Sequence, residues 1–221
     1  MQVVRASSRD EVILEWLRSE WHGLQNAPPD TILVDPRTAD PTDASQNAER
    51  ARLLSDDRSV ILNTIPVNMS TDWVQIEKED LPKLYIIPSV DWYMDTGGTF
   101  RLIDTREHLR PGRGMAILPP GPVYHYDKVQ EKSRYMRDNG IAKDEVFILI
   151  SASLDGPYTI IEGNHRAVVL YQDHIDTPNT PWKGILIHDP EIANTRWFVN
   201  SGFAQGQIWQ MGLFSSHGLL W

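Results

Sequence analysis

The chain has 221 residues, a formal net charge of −9, a pI near 5.2 and no cysteine. The lack of cysteine excludes disulfides, zinc–thiolate sites, iron–sulfur clusters and cysteine nucleophiles, and the acidic balance argues against binding nucleic acid, which needs concentrated Lys and Arg. Hydrophobic residues make up 41% of the chain, but no apolar run reaches the roughly 18 residues of a membrane span. The start of the chain also lacks a signal-peptide pattern. A cytoplasmic globular protein with a small-molecule partner is therefore expected.

The beginning of the chain predicts helices joined by a loop. An amphipathic helix is expected over 8–24, because apolar residues recur there every three or four positions. Ser8 and Glu11 have the spacing of a capping box, which marks the helix start. After a Pro- and Asp-rich loop, a second helix is expected over 43–55, with an inward face of Ala48, Ala51 and Leu54. Residues 1–58 are interpreted as an N-terminal helical extension.

The remainder of the chain mixes short strands with helices. Strands are expected at 59–67, 72–77, 83–88, 99–104, 114–119, 145–153, 158–162, 182–189 and 195–199, with a short one in the extension at 31–34. Helices are expected over 126–139, ended by Gly140, and over 164–172. The aromatic tail has no clean period. The sequence therefore predicts one α+β domain over 59–221.

The strand-to-helix junction "EGNHR" carries the most chemistry. A helix beginning with Asn164, His165 and Arg166 presents free backbone N–H groups, a positive dipole end and a guanidinium to one point, so we expect it to bind an anion such as phosphate. Gly163 would allow close approach of a ligand to the backbone. Glu162 would accept a proton from a bound hydroxyl or reach Mg²⁺ through water. His165 would bond a phosphate oxygen or act as acid or base.

The same junction has a purely structural interpretation. Gly and Asn are common turn and cap residues, and a Glu near a helix N-terminus complements the helix dipole. The His and Arg side chains would then simply face solvent. The residue types alone leave both interpretations open.

Residues 126–190 resemble the core of the ParB/sulfiredoxin-like superfamily. This segment runs through a helix, Gly140, a strand, a turn, "YTIIEGNHRAVVLY" and a strand ending in "ILIHD". The variant it is most similar to is that of the free-serine kinases, which have Asp-Gly-His-His-Arg in place of Glu162 to Arg166. The resemblance implies a mixed sheet with helices, and ATP or ADP with Mg²⁺ as cofactors. It also implies that Glu162 helps activate a substrate hydroxyl, while Asn164, His165 and Arg166 hold nucleotide phosphates. Glu in place of Asp, and Asn in place of the first His, leave the substrate and the nucleotide open.

Other activities are disfavoured by particular residues. Sulfiredoxins need a cysteine where Asn164 stands, and DNA-partitioning ParB proteins continue into a helix-turn-helix where this chain continues into strands. Fic AMP-transferases need a leading His and a second Gly that "PYTIIEGNHR" lacks. No P-loop, Rossmann fingerprint or Gly-x-Ser-x-Gly motif occurs. His165, His174 and His188 are nine and fourteen residues apart, which does not suit a zinc or non-haem iron site.

The resemblance to kinases also implies a second acid from an earlier strand or loop. The candidates are Asp91, Asp95 and Asp104. Asp91 is favoured, although Asp residues at strand ends usually cap turns. His188 and Asp189 would either line the same cleft or close a turn. Among the eight tryptophans, Trp16 and Trp21 are expected in the core, and stacking on a base or sugar stays open for the others.

Two functional hypotheses follow from the sequence. The first is a Mg²⁺- and nucleotide-dependent kinase of a small hydroxylated metabolite, with Glu162, His165 and Asp91 as catalytic residues and the Gly163–Arg166 turn at the phosphates. The second is a non-catalytic nucleotide- or ligand-binding or protein-interaction module of a bacterial regulatory or defence system. A cleft that unites Glu162 with a second carboxylate would favour the enzyme. In both cases Arg166→Ala is expected to weaken phosphate binding with little loss of fold. The oligomeric state stays open.

Overall fold

A computed structural model describes residues 1–24, 40–63, 65, 68–112, 125–139, 146–173 and 181–216. The strands are β1 (Gln2–Ala6), β2 (Ser70–Ile76), β3 (Leu84–Ile86), β4 (Val146–Ser151), β5 (Tyr158–Glu162) and β6 (Trp182–His188). The α-helices are α1 (Arg9–Leu24), α2 (Ala44–Leu62), α3 (Thr105–His108), α4 (His125–Asn139), α5 (Asn164–Asp173) and α6 (Gly202–Ser216). Short 3-10 helices cover Lys78–Lys83, Val90–Trp92, Met94–Thr96, Leu102–Asp104 and Pro190–Asn194.

The six strands form one mixed sheet in the order β1-β2-β6-β4-β5-β3. The pairs β4–β6 and β3–β5 are parallel, and the other neighbouring pairs are antiparallel. A mixed sheet combined with helices agrees with the predicted α+β class.

Strand β4 lies in the centre of the sheet, and this position explains the unbroken apolar run in its sequence. All six residues of Val146–Ser151 are buried, as expected for a strand covered on both faces. Helix α1 contacts β4, α2 contacts α1, and α4 contacts α5. The starts of α4 and α5 therefore lie beside the end of β5, where the candidate site is found.

Helix α1 confirms the prediction for residues 8–24. The backbone N–H of Ser8 donates to the Glu11 carboxylate at 3.0 Å, and the backbone N–H of Glu11 donates to the Ser8 hydroxyl at 3.2 Å. Both bonds of the predicted capping box are thus present. Ile13, Trp16 and Leu17 are buried, so the apolar face was also predicted correctly.

Three predicted strands are wrong. The apolar residues from Ser59 onward continue α2 to Leu62 across a kink at Arg58, whose φ is −121°. Within 99–104, Leu102–Asp104 form a short 3-10 helix, and Arg101 makes an isolated bridge with Tyr85. Residues 195–199 form turns. A short apolar run between turn residues suits a strand or a buried helical turn equally well, so periodicity could not separate them.

Two elements were not predicted from the sequence. Strand β1 pairs with β2, so the predicted boundary between an extension (1–58) and a domain (59–221) has no counterpart in the sheet. Helix α6 follows Ser201, whose hydroxyl accepts a hydrogen bond from the backbone N–H of Ala204 at 3.0 Å and so caps the helix start. On α2, Leu54 is buried as expected, whereas Ala48 is exposed.

Some predictions fall outside the described residues. They concern the strands at 31–34 and 114–119 and the helix stop at Gly140. Within the part of the chain that the structure describes, no helix has the length and apolar character needed to cross a membrane.

Candidate functional site

A cavity of about 760 Å³ opens where β5 meets α5. Its walls come from α1, α2, α4, α5 and the segment after β3. The lining residues include Glu20, Arg58, Ser89, Asp91, Trp92, His125, Lys128, Glu131, Lys132, Glu162, Gly163, Asn164, His165 and Arg166. Every residue proposed for the site from sequence lines this one cavity. The volume lies in the range of small-molecule sites.

Gly163 is required by the backbone and by its neighbours. Its φ is +96°, a conformation that favours glycine. A Cβ at this position would lie 2.7 Å from the Phe147 ring and 2.9 Å from Nη2 of Arg166. The glycine therefore makes room for protein atoms, which differs from the predicted role of admitting a ligand to the backbone.

Asn164 joins the start of α5 to the end of β3. The backbone N–H of Ile87 donates to Oδ1 of Asn164 at 3.2 Å. Because a backbone N–H can only donate, this bond fixes the orientation of the side-chain amide and leaves its NH₂ group as the donor for another partner. The position of the α5 N-terminus in the cavity wall is thereby held from a second strand.

Arg166 is buried, with 6% of its surface exposed. Its Nη2 lies 3.5 Å from Oε1 of Glu162, and it donates to the Ser19 hydroxyl at 3.0 Å and to the Val146 carbonyl at 3.2 Å. The Ser19 hydroxyl in turn donates to Oε1 of Glu162. The guanidinium thus holds Glu162, α1 and β4 together, so it is not the solvent-facing anion grip that the sequence suggested.

Glu20 provides a second carboxyl group beside Glu162. Burial and the negative charge of Glu162 raise the pKa of Glu20 to about 7, although Arg58 acts in the opposite direction. The Arg58 guanidinium donates to Oε1 of Glu20 at 2.7 Å. Two like charges at close range oppose the ionisation of both groups. With its raised pKa, Glu20 is suited to accepting or giving up a proton at the cavity wall.

We expect Glu20→Gln to change the pH dependence of stability. The pKa of Glu20 lies near its ordinary value when the chain is unfolded and near 7 when it is folded. Its stabilising contribution is therefore full below about pH 4.5 and is lost as pH rises through 7. As the pH rises from 5 to 8, the free energy of unfolding of the variant should increase by about 2 kcal/mol relative to that of the unmodified protein. Urea unfolding at several pH values measures this difference.

The stability of Glu20→Gln must be compared with that of the unmodified protein at each pH, because His165 changes the pH dependence of stability in the opposite direction. Burial and the neighbouring His125 lower the pKa of His165 to about 3, so its contribution to stability falls as pH drops below about 6.5. That effect cancels in the difference between the two proteins. Glu79→Gln, at an exposed position, is the matched control and should give a curve parallel to the unmodified one. A parallel curve for Glu20→Gln would contradict the raised pKa of Glu20.

Asp91, Trp92, His125 and His165 form a second cluster in the cavity, here called the histidine cluster. The His125 ring stacks on Trp92 with centroids 3.8 Å apart and planes 8° from parallel. Nδ1 of His125 lies 2.8 Å from Nε2 of His165, and Nε2 of His125 lies 3.3 Å from Oδ2 of Asp91. Burial acts to raise the pKa of Asp91, but the neighbouring His125 and the Ser89 hydroxyl outweigh it and lower that pKa to about 2.

Lys128 and Lys132 extend from α4 into the same cavity. They stand one helical turn apart, so both side chains project from one face of α4. Their positive charges also act to lower the pKa of His165, which places them near its ring. Neither lysine forms an ion pair with any residue that the structure describes, and Lys132 lies 5.5 Å from the Tyr135 ring. They are the cations best placed to meet an anionic ligand.

The carboxylates do not form a cage for Mg²⁺. Among the described residues there is no group of three or more His, Asp and Glu with the spacing of metal ligands, and Glu20 and Glu162 already face Arg58 and Arg166. Mg²⁺ commonly binds through one or two carboxylates plus substrate phosphates. Any Mg²⁺ in this cavity would therefore have to be held mainly by the phosphates of a ligand.

Several residues considered in the sequence lie elsewhere. His188, at the end of β6, pairs with Asp72 of β2 at 2.7 Å. Asp189 accepts a hydrogen bond from the backbone N–H of Glu191 at 2.8 Å and so caps the 3-10 helix that follows. Asp95 is buried away from the cavity, and Asp104 accepts from Thr99. His174 lies outside the described residues. Trp92 and Trp197 line the cavity.

Sequence reasoning missed the residues that come from other elements. Lys128 and Lys132 have a local signal, since they lie four apart on a predicted helix, but such pairs are common on solvated faces. Ser19, Glu20, Arg58 and His125 have no local signal. Ser19 is 143 residues from Glu162 in sequence, and only folding brings them together.

Comparison of the chain with protein-family models, curated proteins and solved structures gave no significant match. The case for a function therefore depends on the geometry of the cavity and on the short motif at the β5–α5 junction.

Proposed function

We propose that the protein is a nucleotide-dependent phosphotransferase of a small hydroxylated metabolite, of the ParB/sulfiredoxin-like type. The observation that carries this proposal is that one cavity unites the carboxyl groups of Glu20 and Glu162, two lysines and the N-terminus of α5. Phosphoryl transfer needs little covalent chemistry from the protein. It needs the two substrates in line, compensation of the phosphate charge and a group that accepts the hydroxyl proton.

The carboxyl pair supplies the proton acceptor. Glu162 takes the proton from the substrate hydroxyl as the hydroxyl oxygen forms its bond to the terminal phosphorus of the nucleotide. The bond between that phosphorus and the bridging oxygen breaks, and the nucleotide leaves with one phosphate fewer. A base whose proton affinity is matched to neutral pH is the most effective. Glu20, whose pKa of about 7 lies in that range, is the neighbouring carboxyl group.

The phosphates are held on the opposite side of this arrangement. Lys128 and Lys132 provide two positive charges, and the α5 N-terminus provides backbone N–H groups. The NH₂ group of Asn164 and the neutral ring of His165 add hydrogen bonds. Arg166 contributes indirectly, because its ion pair keeps Glu162 in place. When Mg²⁺ accompanies the nucleotide, it supplies further charge compensation at the phosphates.

Asp91 is assigned a different role from the second acid suggested by the sequence. With a pKa of about 2 it is a weak base at neutral pH. Its carboxylate is also engaged by the Ser89 hydroxyl and by His125. We therefore assign the second acidic position to Glu20 and an orienting position to Asp91.

A ligand-binding module without turnover is the second candidate, and one observation favours it. Glu162 is held by Arg166 and Ser19, an arrangement that would also serve a purely structural purpose. Such a module would use the same lysines and α5 N-terminus to hold its ligand. The two candidates differ in turnover, which is tested by the Glu162 substitution in the Discussion.

Ligand binding is tested by calorimetry with ATP, ADP and CTP, each with and without Mg²⁺. Lys128→Ala and Lys132→Ala should each weaken nucleotide binding about tenfold or more, because a hydrogen bond to a charged group contributes about 1.5–3 kcal/mol. Lys78→Ala, at an exposed position on a 3-10 helix away from the cavity, is the control and should bind as the unmodified protein does. Absence of heat and of any thermal shift with all three nucleotides would overturn the proposed function.

A further inference from the structure

His125, the first residue of α4, is held in a way that the proposed chemistry does not explain. It is only 2% exposed, although histidine at a helix start is usually in contact with water. Its ring lies flat on Trp92, 3.8 Å between centroids, which fixes the plane of the ring. Each nitrogen faces a different titratable group.

The two nitrogens of His125 link Asp91 to His165. Nε2 faces Oδ2 of Asp91 at 3.3 Å, and Nδ1 faces Nε2 of His165 at 2.8 Å. The Ser89 hydroxyl donates to the other oxygen of the Asp91 carboxylate. Nε2 of His125 makes no well-directed hydrogen bond to any described residue, and its contact with Asp91 is ionic only when His125 is protonated. The result is a chain of groups that ends at a ring in the cavity wall.

The series of contacts from Asp91 through His125 to His165 has two protonation states. Two imidazole nitrogens 2.8 Å apart share a single proton, so one donates and the other accepts. When His125 is neutral with its proton on Nε2 beside the Asp91 carboxylate, its Nδ1 accepts, and His165 must carry its proton on Nε2. His165 then presents a bare Nδ1, which is an acceptor.

A proton added to His125 reverses this polarity. The Nδ1 of His125 becomes a donor, Nε2 of His165 becomes the acceptor, and a neutral His165 must carry its proton on Nδ1. His165 stays neutral because burial and the neighbouring His125 lower its pKa to about 3. The groups that bear on this exchange are Asp91, Lys128 and Lys132 in addition to the two rings.

We propose that His125 is a positioning residue whose proton, held against Asp91, selects the tautomer of His165 and so decides whether that ring offers an acceptor or a donor to the ligand. The assignment of the ligand as a phosphoryl group rests on the proposed function, but the tautomer exchange does not. In the donor state His165 can bond a phosphate oxygen. In the acceptor state it repels one, so the state of His125 sets how well the site holds an anion.

The experiment is ¹⁵N NMR of histidine-labelled protein without ligand, in which the shifts of the two ring nitrogens report the tautomer. While His125 is neutral, His165 should carry its proton on Nε2, and once acid protonates His125 the proton of His165 should move to Nδ1 while that ring remains neutral. Asp91→Asn should remove the preference of His165 for one tautomer, so that its ¹⁵N shifts become averages over both tautomers. Asp72→Asn removes the carboxylate from the other His–Asp pair, with His188, and should leave the His165 signals unchanged.

Two results would overturn the inference. One is a His165 tautomer that stays the same when His125 is protonated, and the other is a His165 tautomer unaffected by Asp91→Asn in a protein that is still folded. Either would show that His125 only fills space beside Trp92. A normal tautomer exchange without nucleotide binding would overturn the proposed function and leave this inference standing. Nucleotide binding without the exchange would do the reverse.

Discussion

Arg166→Ala is expected to destabilise the protein by about 3–5 kcal/mol, because it removes one partner of a buried ion pair and leaves the other charged. Glu162 would remain beside Glu20 without the guanidinium that now lies 3.5 Å from it. The Val146 carbonyl, on the central strand β4, would lose its 3.2 Å hydrogen bond. Urea unfolding at pH 7 measures the effect, and the variant should unfold at a much lower midpoint. This outcome replaces the expectation from sequence that Arg166→Ala would leave the fold nearly intact.

Arg134→Ala is the matched control for this substitution. Arg134 lies exposed on α4, and its removal should change stability by no more than about 0.5 kcal/mol. If Arg166→Ala were as stable as Arg134→Ala but bound nucleotide less well, the arginine would be a ligand-binding residue after all. The buried ion pair would then have been assigned too large a role in folding.

Glu162→Gln is expected to lower turnover by about 10²–10⁴-fold, the usual contribution of a positioned general base. Glutamine keeps the size of the side chain and can still accept from Ser19, but it cannot take a proton from a hydroxyl. Nucleotide affinity should change little, because Lys128 and Lys132 lie on the phosphate side of the cavity. The measurement is transfer of phosphate from ATP or ADP to small hydroxylated compounds, beginning with free serine, followed by ³¹P NMR. Affinity is measured in parallel by calorimetry.

Glu131→Gln provides the control within the same cavity. Glu131 lines the cavity from α4 but is not part of the carboxyl pair, so its substitution should leave turnover within a few-fold of the unmodified protein. Full turnover in Glu162→Gln would remove the base from the proposed mechanism. Nucleotide binding by the unmodified protein without turnover on any acceptor would favour the ligand-binding module.

The two clusters of the cavity divide the proposed chemistry between them. In the proposed function, the carboxyl pair with its two arginines would handle the proton of the hydroxyl substrate, whereas the histidine cluster with the two lysines would face the phosphates. Both meet at the β5–α5 junction, where Glu162 and His165 are only three residues apart. A short stretch of chain can therefore serve two groups whose other members come from different elements.

The sequence by itself determined the elements whose information is local. The capping box and apolar spacing of α1, the buried run of β4, the turn into β5 and the start of α5 are all set by neighbouring residues, because helix and strand periods are properties of a short stretch of chain. The same stretch predicted a ligand site at Glu162 to Arg166, and these residues line the cavity. Local patterns could not separate a strand from a helix end at 59–67 or reveal that α6 follows Ser201.

Only the tertiary structure decided what the junction residues do. Arg166 could have faced solvent or a ligand, and it is the burial of its guanidinium beside Glu162, Ser19 and the Val146 carbonyl that makes it structural. Glu20 and His125 gain their roles from groups far away in sequence. The pKa of a side chain depends on burial and on nearby charges, and both are fixed by which elements meet, a global property that no local pattern of residues records.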